Sequence, residues 1–266
     1  MNRRISVALI AHNEAHQLRA CLASVAWADQ IVVVENGSTD GTAALARELG
    51  AAVISTPDWP GFGAQKNRAI DACGGDWILV LDCDERVDAS LRAEIESTIA
   101  APQFTVYEIP RLSTYCGQVM RHGGWRPDHV RRLFRRGHTR FSEALVHENL
   151  IVTEPVGRFC ASLLHYSFRS PEHVIEKMDR YSTAGAAMLS AQGRSPGLTA
   201  AILHGLAAFI RTYVLKLGFL DGRLGLALAI SNAEGSYYRY LKAWLLARDR
   251  SGFRRADDES AGRGPG

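Results

Sequence analysis

DWILVLDCDE, residues 76–85, decides the fold class: five consecutive apolar residues, Trp77 to Leu81, run straight into Asp82, Asp84 and Glu85. A short apolar run without alternation reads as a strand covered on both faces, and a polar end marks where it meets solvent. The same pattern recurs upstream. ISVALIA (5–11) runs into His12-Asn13-Glu14, and QIVVVE (30–35) into Asn36-Gly37-Ser38-Thr39-Asp40-Gly41. Between these strands, Glu14 to Val25 places Leu18, Leu22 and Val25 on one helical face; Thr39 to Leu49 reads as a second helix, AAVIST (51–56) as a third strand and Gly63 to Cys73 as a third helix. Apolar strands alternating with amphipathic helices predict an α/β fold with a mostly parallel sheet, built from right-handed βαβ units and clothed by helices on both faces. Ligands of such sheets sit beyond the carboxyl ends of the strands, so the polar strand ends carry the functional information.

The remaining sequence bounds the alternatives. At 266 residues the chain suits one α/β domain with an appendage. Apolar residues make up 47% and charged residues 22%, which excludes collagen-like and low-complexity classes. The 31 Lys and Arg against 28 Asp and Glu leave +3, too little for a general nucleic-acid coat, and no nucleic-acid-binding module is recognisable. Five cysteines without CxxC spacing predict reduced thiols in a cytoplasmic protein rather than a disulfide framework or a zinc knuckle. The basic start Met1-Asn2-Arg3-Arg4 precedes only seven apolar residues and no small-residue cleavage site, so it reads as the lead into strand one. The longest later uncharged run, Ser195 to Ile210, falls short of the roughly 20 residues that span a bilayer, and no transmembrane helix is expected.

After strand four a helix (Ser90 to Ile99) and a strand (Thr105 to Ile109) are expected. Arg111 to Arg140 then holds eight arginines against one acid, with Trp125, Phe134 and three histidines interleaved. A solvated face is one reading; a surface for an anionic acceptor is the other, since guanidinium pairs bidentately with phosphate. Phe141 to Val152 is mixed. The domain plan is an α/β domain over 1–170, with a nucleotide half (about 1–110) and an acceptor half (about 111–170), a helical region over 171–250, and a disordered tail over 251–266. Within the helical region Ile202, Leu206, Phe209 and Tyr213 recur at helical spacing among Arg211, Lys216, Arg223, Arg239 and Lys242. This reads as packing on the sheet, as a homo-oligomer interface, or as attachment to an anionic membrane surface.

Asp82-Cys83-Asp84 places two carboxylates at alternate positions of an extended segment, hard oxygen ligands suited to Mg²⁺ or Mn²⁺ held partly through a substrate's phosphates. The plainer reading of any one strand end is helix capping by Ser, Asp or Asn.

ALIAHNE, VVVENGSTDGT, GFGAQKNRAI and GDWILVLDCDE stand in the order and spacing of the family 2 glycosyltransferases of the GT-A fold, which the chain resembles from about Ile5 to Tyr181. HGGW-RPD (122–128), RRLFRRG (131–137), VHE (146–148) and LLHYSF (163–168) are similar to the branch that adds glucose to the lipopolysaccharide inner core. The resemblance implies a metal-dependent, inverting transfer of a hexose from a UDP-sugar to a lipopolysaccharide-core or other lipid-linked saccharide, on the inner face of the cytoplasmic membrane. It implies nucleotide-sugar contacts from Asn13, Glu14, Glu35, Gly37, Lys66, Asp82 and Cys83, and a metal on Asp84 and Asp82. Glu148 is the expected base, with Asp128 as runner-up; Trp125, Arg131, Arg132 and His147 are acceptor or phosphate candidates. The chain departs from the family pattern in Ala11-His12-Asn13, in Glu35-Asn36 and in Cys83 within the DxD. A nucleotidyltransferase would carry a Gly-rich basic loop after strand one, and a dinucleotide oxidoreductase a GxGxxG; this chain has neither. A non-catalytic sugar-nucleotide-binding protein is the third alternative, and loss of the DxD would favour it.

Overall fold

Strands β1 (Ile5–Ala11), β2 (Gln30–Glu35), β3 (Ala52–Ser55) and β4 (Trp77–Leu81) pair in parallel in the order β3-β2-β1-β4. They alternate with α1 (Ala15–Ser24), α2 (Thr42–Glu48) and α3 (Phe62–Asp71). The computed structural model describes residues 3–142 and 149–250. Val7, Leu9, Trp77, Leu79 and Leu81 enter one buried cluster with Leu18 and Leu22 of α1; Ala8, Ile78 and Val80 enter a second with Ala69 and Ile70 of α3. Alternate side chains thus feed two cores, which is why these strands lack polar alternation. The register Ala11↔Glu35 and Leu9↔Leu81 brings three polar strand ends to one edge.

The second helix begins at Thr42 rather than Thr39, because Gly41 is left-handed (φ +86°) and ends the loop there. Beyond β4 come β5 (Glu85–Arg86), α4 (Ala89–Ala100), β6 (Val106–Tyr115), β7 (Gln118–Val119), β8 (His129–Arg135), β9 (Gly157–Arg158) and β10 (Leu163–Phe168). The strand expected over 105–109 therefore runs on to Tyr115. The arginine-rich segment is itself a strand: β8 pairs antiparallel with β4, Ile78↔Phe134 and Leu79↔Leu133, and its Arg132 is buried.

The chain forms two compact units, residues 1–113 with 127–167, and residues 114–126 with 168 onward. Thr114 to Arg126, assigned above to an acceptor half, thus packs with the helices. That second unit contains α5 (Pro171–Ala191), α6 (Leu198–Ile210), a π turn (Arg211–Leu215), a 3-10 turn (Gly218–Asp221) and α7 (Gly222–Arg250). Buried Asp221 accepts hydrogen bonds from the Arg121 and His122 amides at 3.1 and 2.8 Å and lies 2.9 Å from His122 Nδ1, anchoring the HGGW segment there. Lys242 donates to Asp179, Ser182 and Thr183 of α5 at 2.7–2.8 Å, and Arg239 lies against Gly185, so these two expected membrane-facing cations serve helix packing. The expectation that no helix reaches spanning length also changes. The π turn carries α6 past Arg211, and Leu198–Leu215 makes an 18-residue run of mean hydropathy 1.5, long and apolar enough by those criteria to cross a membrane. The tail over 251–266 lies outside the described residues.

Candidate active site

At the shared strand edge, Asn13 adopts a left-handed conformation (φ 55°), and its Oδ1 accepts from the Thr39 amide at 2.8 Å. Asp40 accepts from the amides of Ala15 and Thr42, both at 3.0 Å. These bonds knit the loops after β1 and β2 together, so Asn13 shapes the edge through its backbone neighbours. Glu14 stands at the start of α1 with its carboxylate 3.8 Å from His16 Nε2. Gly37 is left-handed at φ +69° with open space around it, so its glycine answers a turn requirement and not a close approach.

Glu35 is buried. Burial raises its pKa, but hydrogen bonds from Ser55 and Ser38, whose amide donates to Oε2 at 3.0 Å, more than offset this and hold the carboxyl below its ordinary 4.5. The Thr42 hydroxyl, with the Ala15 and Thr42 amides, likewise holds Asp40 below 3.8. Both groups are more acidic folded than unfolded, so the unfolded chain takes up their protons first as the pH falls. Their stabilisation is whole above the ordinary carboxylate values and is lost as the pH drops through the lowered ones. Melts should be flat from about pH 7 to about pH 5 and fall below about pH 4, with Glu35→Gln shallowing the fall. An identical acid profile for that variant would remove Glu35 from the account.

The DxD segment is a turn rather than an extended stretch: the Glu85 amide donates to the Asp82 carbonyl at 3.0 Å, and the Asp82 amide to Glu85 Oε2 at 3.0 Å. Arg86 fastens this turn to α1, donating to the Cys83 carbonyl at 2.7 Å and to Gln17 Oε1 at 2.7 Å. The turn separates the two carboxylates. Asp82 pairs with Arg132 Nη2 and, at 3.2 Å, with Lys66 Nζ. Burial would raise its pKa, yet Arg132 and Lys66 hold it far below the usual range. Asp84 instead faces His165, Oδ2 to Nε2 at 3.3 Å, while His165 Nδ1 meets Ser113 Oγ at 2.8 Å.

Cys83 turns inward. Its thiol joins the apolar cluster, donates to the Ile10 carbonyl at 3.3 Å and is pushed well up in pKa by burial, so the expected nucleotide-sugar contact is a core residue. The buried polar run in α3 is also resolved. Asn67 clamps the Phe141 backbone through Nδ2 and Oδ1 at 3.0 and 2.9 Å, and Gln65 reaches Thr56 at 2.6 Å. Lys66 is the member turned to the DxD turn.

Arg132 links Asp82 to Glu85 Oε1 at 2.6 Å; Arg111 lies 3.5 Å from the same oxygen and donates through Nε to Asp128 Oδ2 at 2.8 Å. Asp128 is thereby a partner of an arginine, and Arg132 is a buried ion-pair residue rather than a free acceptor contact. Arg131 is exposed and donates to the Leu150 carbonyl at 3.3 Å. Trp125 belongs to the second unit, where its ring packs 5.9 Å from Phe168 and 6.3 Å from Tyr115. His147 and Glu148 lie outside the described residues. His165, Ser113 and Arg111 join the site without having been singled out as site residues in any motif, and Glu85, legible only as part of a polar strand end, is the buried partner of Arg132. His165 stood in the quoted LLHYSF motif, and the signal for its role was the strand register His165↔Glu85, which no spacing reveals.

No three His, Cys, Asp or Glu side chains converge as a closed metal cage among the described residues. Asp84 and His165 form an open pair, a hard carboxylate oxygen and an imidazole nitrogen oriented by Ser113. Such a donor set fits a divalent cation that completes its shell with substrate oxygens.

The sheet is mixed rather than mostly parallel: parallel through β3-β2-β1-β4, and antiparallel where β8 joins β4 and β6 joins β8. With this Asp-rich turn at the carboxyl edge of its parallel half, it is the sheet of a sugar transferase of the GT-A architecture. The chain belongs to glycosyl transferase family 2, whose model matches residues 6–143. It is 32% identical over 253 residues to the lipopolysaccharide core biosynthesis glycosyltransferase LpsC of Rhizobium meliloti (strain 1021), across 90% of each chain. An uncharacterized glycosyltransferase of Rickettsia bellii (strain RML369-C) is 27% identical over 261 residues, covering 91% of this chain and 86% of that one. Among solved structures, glucosyl-3-phosphoglycerate synthase from Mycobacterium tuberculosis, in complex with Mn²⁺, UDP and glucosyl-3-phosphoglycerate, aligns with TM-score 0.35 and 27% identity. That match covers 43% of this chain and 45% of the other, less than half the length of that enzyme.

Proposed function

We propose that the chain is an inverting hexosyltransferase, dependent on Mg²⁺ or Mn²⁺, that moves glucose from a UDP-sugar to a lipopolysaccharide inner-core or related lipid-linked saccharide at the inner face of the cytoplasmic membrane. The observation that carries this reading is the division of the DxD turn. Asp82 is neutralised by Lys66 and Arg132, while Asp84 and His165 stay open as a cation-binding pair beside them. Family membership supports sugar transfer, and similarity to the lipopolysaccharide core biosynthesis glycosyltransferase of Rhizobium supports the acceptor class.

In the proposed reaction an acceptor hydroxyl oxygen bonds to the anomeric carbon as the bond from that carbon to the diphosphate oxygen breaks. The leaving UDP carries off that electron pair, and the hydroxyl proton passes to a carboxylate. A bound divalent cation supplies charge relief on the departing diphosphate. Asp84 and His165 would hold that cation, with Ser113 orienting the imidazole and Lys66 placing a second positive charge at the edge. Glu148 takes the proton, because Asp128 is committed to Arg111.

Glu148→Gln is expected to leave donor affinity intact and to lower turnover by on the order of 10²–10⁴, whereas Asp128→Asn costs stability more than turnover. Near-normal turnover in Glu148→Gln together with a dead but folded Asp128→Asn would move the base to Asp128.

A further inference from the structure

Among the described residues, large exposed apolar side chains concentrate between Leu198 and Leu220. In α6, Leu198, Ile202, Leu206 and Ile210 recur every fourth residue and are all exposed. The opposite face consists of small residues, Ala201, Gly205 and Ala208, which are buried against α7: a Cβ on Gly205 would stand 3.2 Å from both the Ala233 carbonyl and Tyr237 Cβ. The apolar surface continues around the elbow, where Leu215 is 70% exposed and Phe219 and Leu220 follow. Leu217 sits there in a left-handed conformation, φ 55°, with its side chain exposed. Turns favour Gly or Asn at such a position, and here it carries a leucine that extends the exposed apolar surface.

The charges single out one occupant. No Asp or Glu occurs between Asp179 and Asp221, while Arg180, Arg194, Arg211 and Lys216 fall in that interval and Arg223 follows it. A symmetric contact between two copies of this face would bring these cations together with no carboxylate in the same interval to pair them. An anionic lipid surface pairs them all. The helix cannot leave the protein to cross the bilayer without uncovering its small-residue face, and α7, which it packs on, carries Arg223, Glu234, Arg239 and Lys242.

We infer that the Leu198–Leu220 face inserts, parallel to the surface, into the acyl boundary of an anionic phospholipid bilayer. This deepens the proposed membrane placement and stands independently of the sugar chemistry. It replaces adsorption by charge alone with attachment that apolar burial holds.

The test is co-sedimentation of the full chain with phosphatidylethanolamine–phosphatidylglycerol vesicles and with phosphatidylcholine vesicles, at about 0.1 M and about 1 M NaCl, where screening separates charge from burial. Wild type should bind the anionic vesicles and keep most of that binding at high salt. The triple variant Leu206→Glu, Leu215→Glu, Leu220→Glu, all at exposed positions, should lose partitioning by about ten-fold or more at both salts. Arg211→Gln with Lys216→Gln should weaken binding at low salt and leave the salt-resistant part. Circular dichroism and metal-dependent UDP binding of each variant separate this outcome from misfolding and from failure of the transferase reading. Complete release at high salt, or wild-type partitioning by the triple variant, overturns insertion. So does a lipid-free dimer that the triple variant converts to monomer without any vesicle binding, which would assign the face to a second copy.

Discussion

Asp84→Ala is expected to abolish measurable transfer and to remove the effect of Mg²⁺ or Mn²⁺ on UDP binding. Asp84 is the DxD carboxylate whose oxygen faces an imidazole instead of fixed cations, so under the proposed metal role its loss would leave only His165 of the pair. Removing one group that stabilises developing charge costs on the order of 10²–10³ in turnover, and loss of the cation itself costs more. Asp82→Asn behaves differently. It removes the carboxylate charge facing Lys66 and leaves Arg132 paired with Glu85 alone, so its first effect should be on folding and donor geometry, with metal dependence kept. His165→Ala should resemble Asp84→Ala in metal dependence, and Ser113→Ala should show a weaker version, on the order of 10-fold in metal affinity, because it frees the imidazole to rotate. Full activity of Asp84→Ala in EDTA would dismiss the metal from the mechanism.

Arg132→Met carries the second large effect, on stability. Glu85 is 0% exposed and Arg132 5%, and the guanidinium joins Glu85 to Asp82. Deleting one partner of such an ensemble leaves a carboxylate buried without compensation, a loss of about 3–5 kcal/mol. Arg111, 3.5 Å from the same Glu85 oxygen, is too distant to take over fully. Combining Arg132→Met with Glu85→Gln removes the orphaned charge and should recover a substantial part of the loss in urea denaturation. A single variant within about 1 kcal/mol of wild type would show that solvent reaches Glu85, since exposed pairs contribute no more than that.

The part of the fold legible in the sequence is the part where burial dictates residue type. ISVALIA, QIVVVE and WILVL read as covered strands because five to seven β-rich apolar residues bounded by polar turns are too short for a buried helix, and their polar ends lie at one edge because parallel pairing aligns them. Family membership was legible from motif order for the same reason. The arginine-rich segment was misjudged because composition is silent on pairing. RRLFRR reads as a basic surface until the register Leu79↔Leu133 sets Arg132 level with the end of β4, beside Asp82. Cys83 was misplaced because an extended DxD was assumed; the Arg86-pinned turn sends the thiol inward and parts the carboxylates. His165 was beyond reach because it approaches Asp84 across some eighty intervening residues. The α6 run was cut short at Arg211, where a π turn lets the helix continue past a charge.

The central claim is that the Asp84–His165 edge works on a UDP-hexose, and the anomer of the sugar released tests it most directly. Purified chain is mixed with UDP-glucose, and in parallel with other UDP- and GDP-sugars, with Mn²⁺ and with EDTA, and slow donor cleavage is followed by proton NMR. Metal-dependent turnover of UDP-glucose is expected, with β-glucose appearing first, since a single displacement inverts the α-linked donor, and none from Asp84→Ala. Cleavage that survives EDTA, α-glucose as the first product, or no cleavage of any UDP-sugar would contradict it.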